Sequence, residues 1–155
     1  MAEADDPNLN VINYNTNRQW KVLSYGKRYH ACFLYRDVNK DRIWVKVTVD
    51  ILESAGFICW YRDRDMVAGH TYAATIIKCI EQSIKIIVIL SESFLESPRC
   101  KYDLDLALEE CFSRGEDGET GALIPVAIDN CKIPKILKPL HVLSILEHED
   151  DWLSI

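Results

Sequence analysis

The chain has 155 residues, of which 48% are hydrophobic and 27% charged, with 6 Gly and 5 Pro. This size and composition predict one compact domain with a buried core and exclude disorder, collagen and linker behaviour. The formal net charge of −6 argues against nucleic acid as a main ligand. Apolar runs fall far short of the ~20 residues of a membrane span, and the acidic start of the chain is unlike a secretory leader. We therefore expect a cytoplasmic protein that does not insert into membranes.

Six cysteines lie at positions 32, 59, 79, 100, 111 and 131. They form no Cys-x-x-Cys pair and have no histidine at ligand spacing, so the sequence predicts no metal site. Several lie inside apolar runs, where a free cysteine behaves as a small core residue. We expect reduced, buried thiols, although the even count also permits disulfides in a secreted chain.

The first part of the chain predicts a lead-in followed by a strand, a helix and a strand. Residues 1–27 are expected to be a partly flexible lead-in, and residues 31–35 form a short apolar run typical of a buried strand. The next segment predicts a helix that Asp41 caps and Gly56 ends. Its apolar residues recur every four positions, at Ile43, Val47 and Ile51. Residues 57–61 then predict the second strand.

The second part continues this alternation. A charged loop over residues 62–70 precedes a helix with apolar residues at helical spacing, and residues 85–90 are apolar on both faces, as in a central parallel strand. Pro125 lacks an amide proton, which places its strand near a sheet edge or where that proton is not needed. The other predicted elements are a helix over residues 100–112, turns over 114–121, a strand over 123–128 and a weaker strand over 142–146.

This order of elements predicts an α/β domain, a doubly wound, flavodoxin-like three-layer sandwich with a central parallel sheet of about five strands. Functional loops then lie at the carboxyl ends of the strands. The loop after the first strand, residues 36–41, has no glycine, which disfavours a phosphate cradle. The central strand is followed by Ser91 and Glu92, so a response-regulator receiver would lack its acceptor aspartate.

Several segments resemble, in order, the conserved boxes of TIR (Toll/interleukin-1 receptor) domains. They are residues 29–37 as the first box, 62–69 as the second box, 86–100 as the central strand with the approach to the third helix, 123–126 as the fourth strand and 151–153 as the third box. The combination is more specific than any single box. Residues 63–65 and 100–102 are most similar to those of animal receptor and adaptor members.

The resemblance implies a TIR domain over residues 28–155. Family members continue beyond the third box into a final helix, whereas this chain stops at Ile155. We therefore expect either a domain without that helix or a piece of a longer protein.

The resemblance to animal members implies innate-immune-type signalling by assembly. The expected partners are copies of the chain and receptor or adaptor TIR domains, bound weakly or in a concentration-dependent way. The implied partner-binding residues are those of the second box and its end, namely Arg62, Asp63, Arg64, Asp65, Met66, Val67, Ala68, Gly69 and His70. Ala68 replaces the family's usual proline, and Gly69 is expected to adopt a positive φ before the next helix.

A second group in the family cleaves NAD at the nicotinamide glycosidic bond with a glutamate four residues after a tryptophan. This register places Arg99 at the position of the tryptophan and Asp103 at that of the glutamate. Aspartate is one methylene shorter, so its carboxylate would fall about an ångström short of the position that the glutamate carboxylate takes. The resemblance also implies Tyr35 and Arg36 as substrate-binding residues. NAD would be a substrate, and no cofactor is implied. We expect a non-enzymatic module, with an NAD glycohydrolase as the alternative.

Overall fold

The computed structural model describes residues 20–115 and 122–145. The strands are β1 (Tyr29–Leu34), β2 (Cys59–Tyr61), β3 (Ser83–Leu90), β4 (Leu123–Ala127) and β5 (Leu143–Ser144). The helices are α1 (Asn39–Ser54), α2 (Arg62–Asp65), α3 (Tyr72–Gln82), α4 (Glu92–Glu96) and α5 (Pro98–Ser113), with a 3-10 turn at Lys135–Leu137. The strands form one parallel sheet in the order β2-β1-β3-β4-β5. This topology confirms the predicted doubly wound, flavodoxin-like α/β fold.

Three sequence predictions fall on residues that the structure does not describe. These are most of the lead-in, the turns over residues 116–121 and the third box over residues 151–153. The weak last strand is present as β5, which is shorter than the sequence suggests.

The central strand β3 is apolar from Ile86 to its end because both of its faces are covered there. Ile86, Val88 and Leu90 belong to a core cluster shared with α3, α4 and α5. Ile87 and Ile89 point the other way, into a second cluster shared with α1. The fold therefore has two cores, and helix α1 lies on the opposite side of the sheet from α3 and α5.

Pro125 lies in β4, one strand in from the edge strand β5. Ile128 donates its backbone amide to Leu90 on β3, so alternate amides of β4 face β3 and position 125 faces the β5 side. Pairing with β5 begins only at Val126 and Leu143. The missing amide proton of proline therefore costs no ladder hydrogen bond.

The predicted cap of α1 is wrong. The helix starts two residues earlier than Asp41, and Val38 occupies the N-cap position without a side-chain hydrogen bond. Asp41 is instead buried, and its Oδ2 accepts a hydrogen bond of 2.6 Å from Ser91 Oγ. The carboxylate therefore ties α1 to the end of β3 instead of capping the helix, and burial raises its pKa.

The apolar series that predicts α1 lies on the solvent side of the helix. Ile43, Val47 and Ile51 are 64%, 52% and 38% exposed, and we call them the α1 stripe. A second series, Val45 and Val49, packs against the sheet and is fully buried. The sequence pattern thus gives the correct helix with the wrong buried face.

Two serines start the helices that follow β3. Ser91 Oγ accepts the backbone amide of Phe94 at the start of α4, and Ser97 Oγ accepts that of Cys100 at the start of α5. Pro98 occupies the first turn of α5, where its missing amide proton is not needed, so the helix starts before the predicted Cys100.

The end of the lead-in is attached to the sheet through His30. Its Nδ1 accepts the backbone amide of Ile58 at 2.9 Å, which places the ring proton on Nε2, 3.1 Å from the carbonyl oxygen of Val22. Lys21 also donates its amide to the carbonyl of Gly56 at 2.8 Å. These bonds hold the segment just before β1 across the start of β2.

The six cysteines are thiols, four of them buried and two, Cys111 and Cys131, half-buried. This burial agrees with the expectation that they act as small core residues. Within residues 20–115 and 122–145, no helix is both long and apolar enough to span a bilayer.

Candidate functional site

The second-box residues form an exposed loop after β2, the edge strand of the sheet. We call residues 62–70 the contact loop. It consists of a stem, the single turn α2, and a tip, residues 66–70. Val67 is 54% exposed and Met66 is half-buried, while Ala68, Gly69 and His70 are exposed. Gly69 adopts φ +86°, which confirms the expected left-handed turn before α3.

The stem is fixed to the body of the domain by its own charges. The Arg64 guanidinium donates to the carbonyl of Cys59 at 2.8 Å and to the carboxylate of Glu53 at 3.0 Å. Asp65 Oδ2 accepts the backbone amide of Tyr61 at 3.0 Å, and Arg64 lies over the Tyr61 ring. Arg64 and Asp65 therefore position the loop and offer little free charge to a partner.

Tyr35 anchors the start of the stem from below. Its hydroxyl donates to Asp63 Oδ2 at 2.6 Å and accepts the Asp63 backbone amide at 3.1 Å. Burial, reinforced by the Asp63 hydrogen bond, raises the pKa of Tyr35. The Arg62 guanidinium lies 5.0 Å from the centre of the Tyr35 ring. The structure thus places Tyr35, an implied substrate-binding residue, in the core beneath the contact loop.

Arg36 is half-buried next to the start of α5. Its Nη1 donates to Ser97 Oγ at 3.0 Å, the same oxygen that caps α5. Together with the bond between Asp41 and Ser91, this contact attaches the loop after β1 to the starts of both α4 and α5.

Asp103 lies on the inner face of α5 and is only 2% exposed. Its Oδ2 accepts a hydrogen bond of 2.5 Å from the hydroxyl of Tyr72, and Oδ1 has no hydrogen-bond partner among the described residues. Burial raises the pKa of this carboxyl, which the Tyr72 bond and the charges of Arg99 and Arg62 partly offset. The Arg99 guanidinium lies 4.6 Å from the centre of the Tyr72 ring.

Arg62 connects the contact loop to this carboxyl. Its charge acts on both Tyr72 and Asp103, and its Nη2 is buried without a hydrogen-bond partner among the described residues. Its nearest carboxylate contact is Asp37 Oδ1, at 3.6 Å. The carboxyl edge of the sheet therefore combines a cation and a carboxyl group, each with an unused hydrogen-bonding atom.

Tyr72 is the member of this arrangement that sequence reasoning missed. Nothing in the sequence distinguishes it from the apolar residues of α3, yet its hydroxyl is the donor to Asp103 Oδ2. A buried aspartate on a helix requires such a donor, but the sequence does not indicate which residue supplies it. Elsewhere in the described parts of the chain, no three His, Cys, Asp or Glu side chains are grouped as a metal site requires.

Comparison with known proteins matches this chain to one family over most of its length. Residues 33–154 match a family model described as the TIR domain. The chain is 27% identical over 131 residues to the stimulator of interferon genes protein of Magallana gigas, covering 84% of this chain and 30% of that protein. It is 34% identical over 133 residues to Toll-like receptor 6 of Homo sapiens, covering 85% of this chain and 16% of that protein.

The solved TIR domain of a Toll-related receptor from Hydra magnipapillata has the same fold. The two structures superpose with a TM-score of 0.68 at 24% identity, covering 82% of this chain and 94% of that chain. By contrast, the chain spans less than a third of the length of the two curated relatives.

Proposed function

The chain belongs to the TIR-domain family, and from this premise we propose that it is a cytoplasmic signalling module that binds copies of itself and other TIR domains. Its sequence relatives include Toll-like receptors, which supports a role in innate-immune signalling. The observation that carries the proposal is the division of the contact loop into a fixed stem and an exposed tip.

A fixed stem reduces the entropic cost of binding, because the loop already has one conformation before the partner arrives. The tip presents Met66 and Val67, and the edge position of β2 leaves the approach to it open. A small apolar patch of this kind supports an interface that forms at high local concentration, as expected for a signalling assembly.

Replacing Val67 with aspartate is expected to weaken self-association by about tenfold or more, because the new charge must be desolvated at the centre of the contact. Sedimentation velocity and light scattering over a dilution series of the full chain measure this effect. Val22→Asp is the matched control, since Val22 is 92% exposed and lies outside the loop. A wild-type chain that stays monomeric without another TIR domain, or a Val67→Asp chain that associates like the wild type, contradicts the proposal.

Cleavage of NAD is the alternative function. The observation in its favour is that Arg62 Nη2 and Asp103 Oδ1 are buried without a hydrogen bond among the described residues. Two features count against it. The Asp103 carboxyl is buried, with one oxygen held by Tyr72. Burial raises its pKa, so the charged form needed beside a cationic transition state is less favourable there than in water. We therefore propose that Asp103 serves the fold and does not act on a substrate.

Incubation of the concentrated protein with NAD is expected to release no nicotinamide above the level given by Asp103→Ala. A crowding agent keeps the protein assembled during the assay, so that lack of assembly does not cause a negative result. Nicotinamide release that Asp103→Ala abolishes would establish the alternative. Release that survives this substitution would show cleavage by other residues.

A further inference from the structure

The α1 stripe is an apolar surface that the fold does not use. Its three members are four residues apart and form one row along the helix, about 12 Å long. The core contacts of α1 are made by Val45 and Val49, so nothing in the packing of the described residues requires the stripe. Isolated exposed apolar residues are ordinary, but a continuous row indicates a contact surface. Lys46 and Arg42 lie beside the first part of this row and Asp50 beside its last part, and all three are exposed.

A groove of matching character lies on the other side of the molecule, between α3 and α5. We call it the α3–α5 groove, and its volume is about 270 Å³. Ile77, Ile80 and Leu106 form its apolar part. Its acidic residues are Glu81, Glu109 and Glu110, of which Glu110 is paired with Arg114 at 3.1 Å while Glu81 and Glu109 are exposed.

We propose that the α1 stripe of one copy docks into the α3–α5 groove of a second copy. A row of apolar side chains four residues apart lets a helix lay one face into an apolar groove. Lys46 beside the stripe is opposite in charge to the glutamates of the groove, so the two attract each other across this contact. Arg42 contributes less because it is paired with Asp37 and Asp63 within its own chain. This inference rests on the proposed function, in that it names a surface for self-association.

The placement of the two features determines the kind of assembly. Helix α1 packs on the Ile87 face of the sheet, whereas α3 and α5 pack on the Ile86 face. Each copy therefore presents the stripe on one side and the groove on the other, and the contact repeats head to tail. Such a contact builds an open strand of copies, or a ring where the rotation between copies closes. In either case the contact loop at the carboxyl edge stays available for a second contact.

Charge exchange tests this contact in the full-length chain. Lys46→Glu and Glu109→Lys are each expected to weaken self-association by about tenfold, because each places like charges across the interface. An equimolar mixture of the two variants should recover association, since the new glutamate of one copy faces the new lysine of the other. An α1-to-α1 contact with two-fold symmetry would show no such recovery. Failure of the mixture to recover overturns the inference.

Val47→Glu provides the apolar test, and thermal unfolding by circular dichroism checks that the variant is folded. The position is exposed and glutamate favours helix, so we expect a normal melting curve and weakened association. Added to wild-type chains in a small proportion, this variant should also shorten the strands, because it can bind through its groove but cannot extend through its stripe. Normal association of Val47→Glu beside the loss in Val67→Asp would overturn this inference and leave the proposed function intact. A wild-type chain that stays monomeric overturns both.

Discussion

Replacing Arg114 with alanine is expected to lower the free energy of unfolding by about 3 kcal/mol, because several hydrogen bonds to a charged group are lost together. The guanidinium donates to the carbonyl oxygens of Ile80, Ser83 and Ile84 at 3.0, 2.8 and 2.9 Å. It also pairs with Glu110 one turn earlier in α5. These contacts fix the end of α5 to the junction where α3 passes directly into β3.

The Arg114 side chain is only 14% exposed. In the alanine variant, the carbonyl oxygens that lose this donor are therefore largely shielded from water. Arg114→Lys should lose an intermediate amount, since one ammonium group cannot reproduce the planar fork. Lys101→Ala on the exposed side of the same helix is the control and should change stability by less than about 0.5 kcal/mol. Urea unfolding followed by circular dichroism gives these values. Equal stabilities of the Arg114→Ala and Lys101→Ala proteins would show that the Arg114 contacts do not contribute to the free energy of unfolding.

The overall fold follows from local patterns because each element contains its own signal. Strand β3 is apolar on both faces, and Gly56 ends α1 with φ +94°, as its sequence position suggests. The buried face of α1 could not be derived in the same way. Two apolar series run along this helix, and isoleucine is at least as apolar as valine, so hydrophobicity selects the wrong one. The bond between Asp41 and Ser91, 50 positions apart, helps to set the rotation of the helix against the sheet.

The candidate site shows the same limit. The sequence identifies residues 62–70 as a charged loop, and the structure shows that residues 67–70 at its tip are exposed. The sequence does not show that Arg64 is engaged with Glu53, or that Asp63 is held by Tyr35 from 28 positions away. Those partners decide which charges are free for binding, and they depend on distances across the fold. The loop therefore has an exposed tip, while most of its charges serve the stem.

Replacing Tyr72 with phenylalanine is expected to destabilise the domain by about 2 kcal/mol at neutral pH, because it removes a hydrogen bond to a buried carboxylate. Its hydroxyl is the one donor to Asp103 among the described residues, at 2.5 Å from Oδ2. Without this hydroxyl, the pKa of Asp103 rises further above its usual value of 3.8, because the hydrogen bond that partly offsets the effect of burial is lost.

The sign of the pH dependence follows from that direction. A carboxyl group with a higher pKa in the folded than in the unfolded chain gives its full stability below the unfolded value, and this is lost as the pH rises through the folded value. The cost of Tyr72→Phe should therefore be larger at neutral pH than near pH 3.8, the usual carboxyl value. Urea unfolding at a series of pH values measures it, and in an Asp103→Asn background the cost should no longer vary over this range. A cost that is independent of pH in the wild-type background contradicts the assignment.

This experiment also bears on the choice between a scaffold and an enzyme. If Asp103 serves the fold, Tyr72→Phe and Asp103→Asn change the free energy of unfolding and leave nicotinamide release at background. If the Asp103 carboxylate acts on NAD, we expect the opposite pattern, because nicotinamide release would fall with Asp103→Asn in protein that is still fully folded. The buried position of Asp103 and its short bond to Tyr72 favour the first result. A buried carboxyl with this hydrogen bond has a structural role that needs no substrate, since the bond joins α3 to α5 beneath the contact loop.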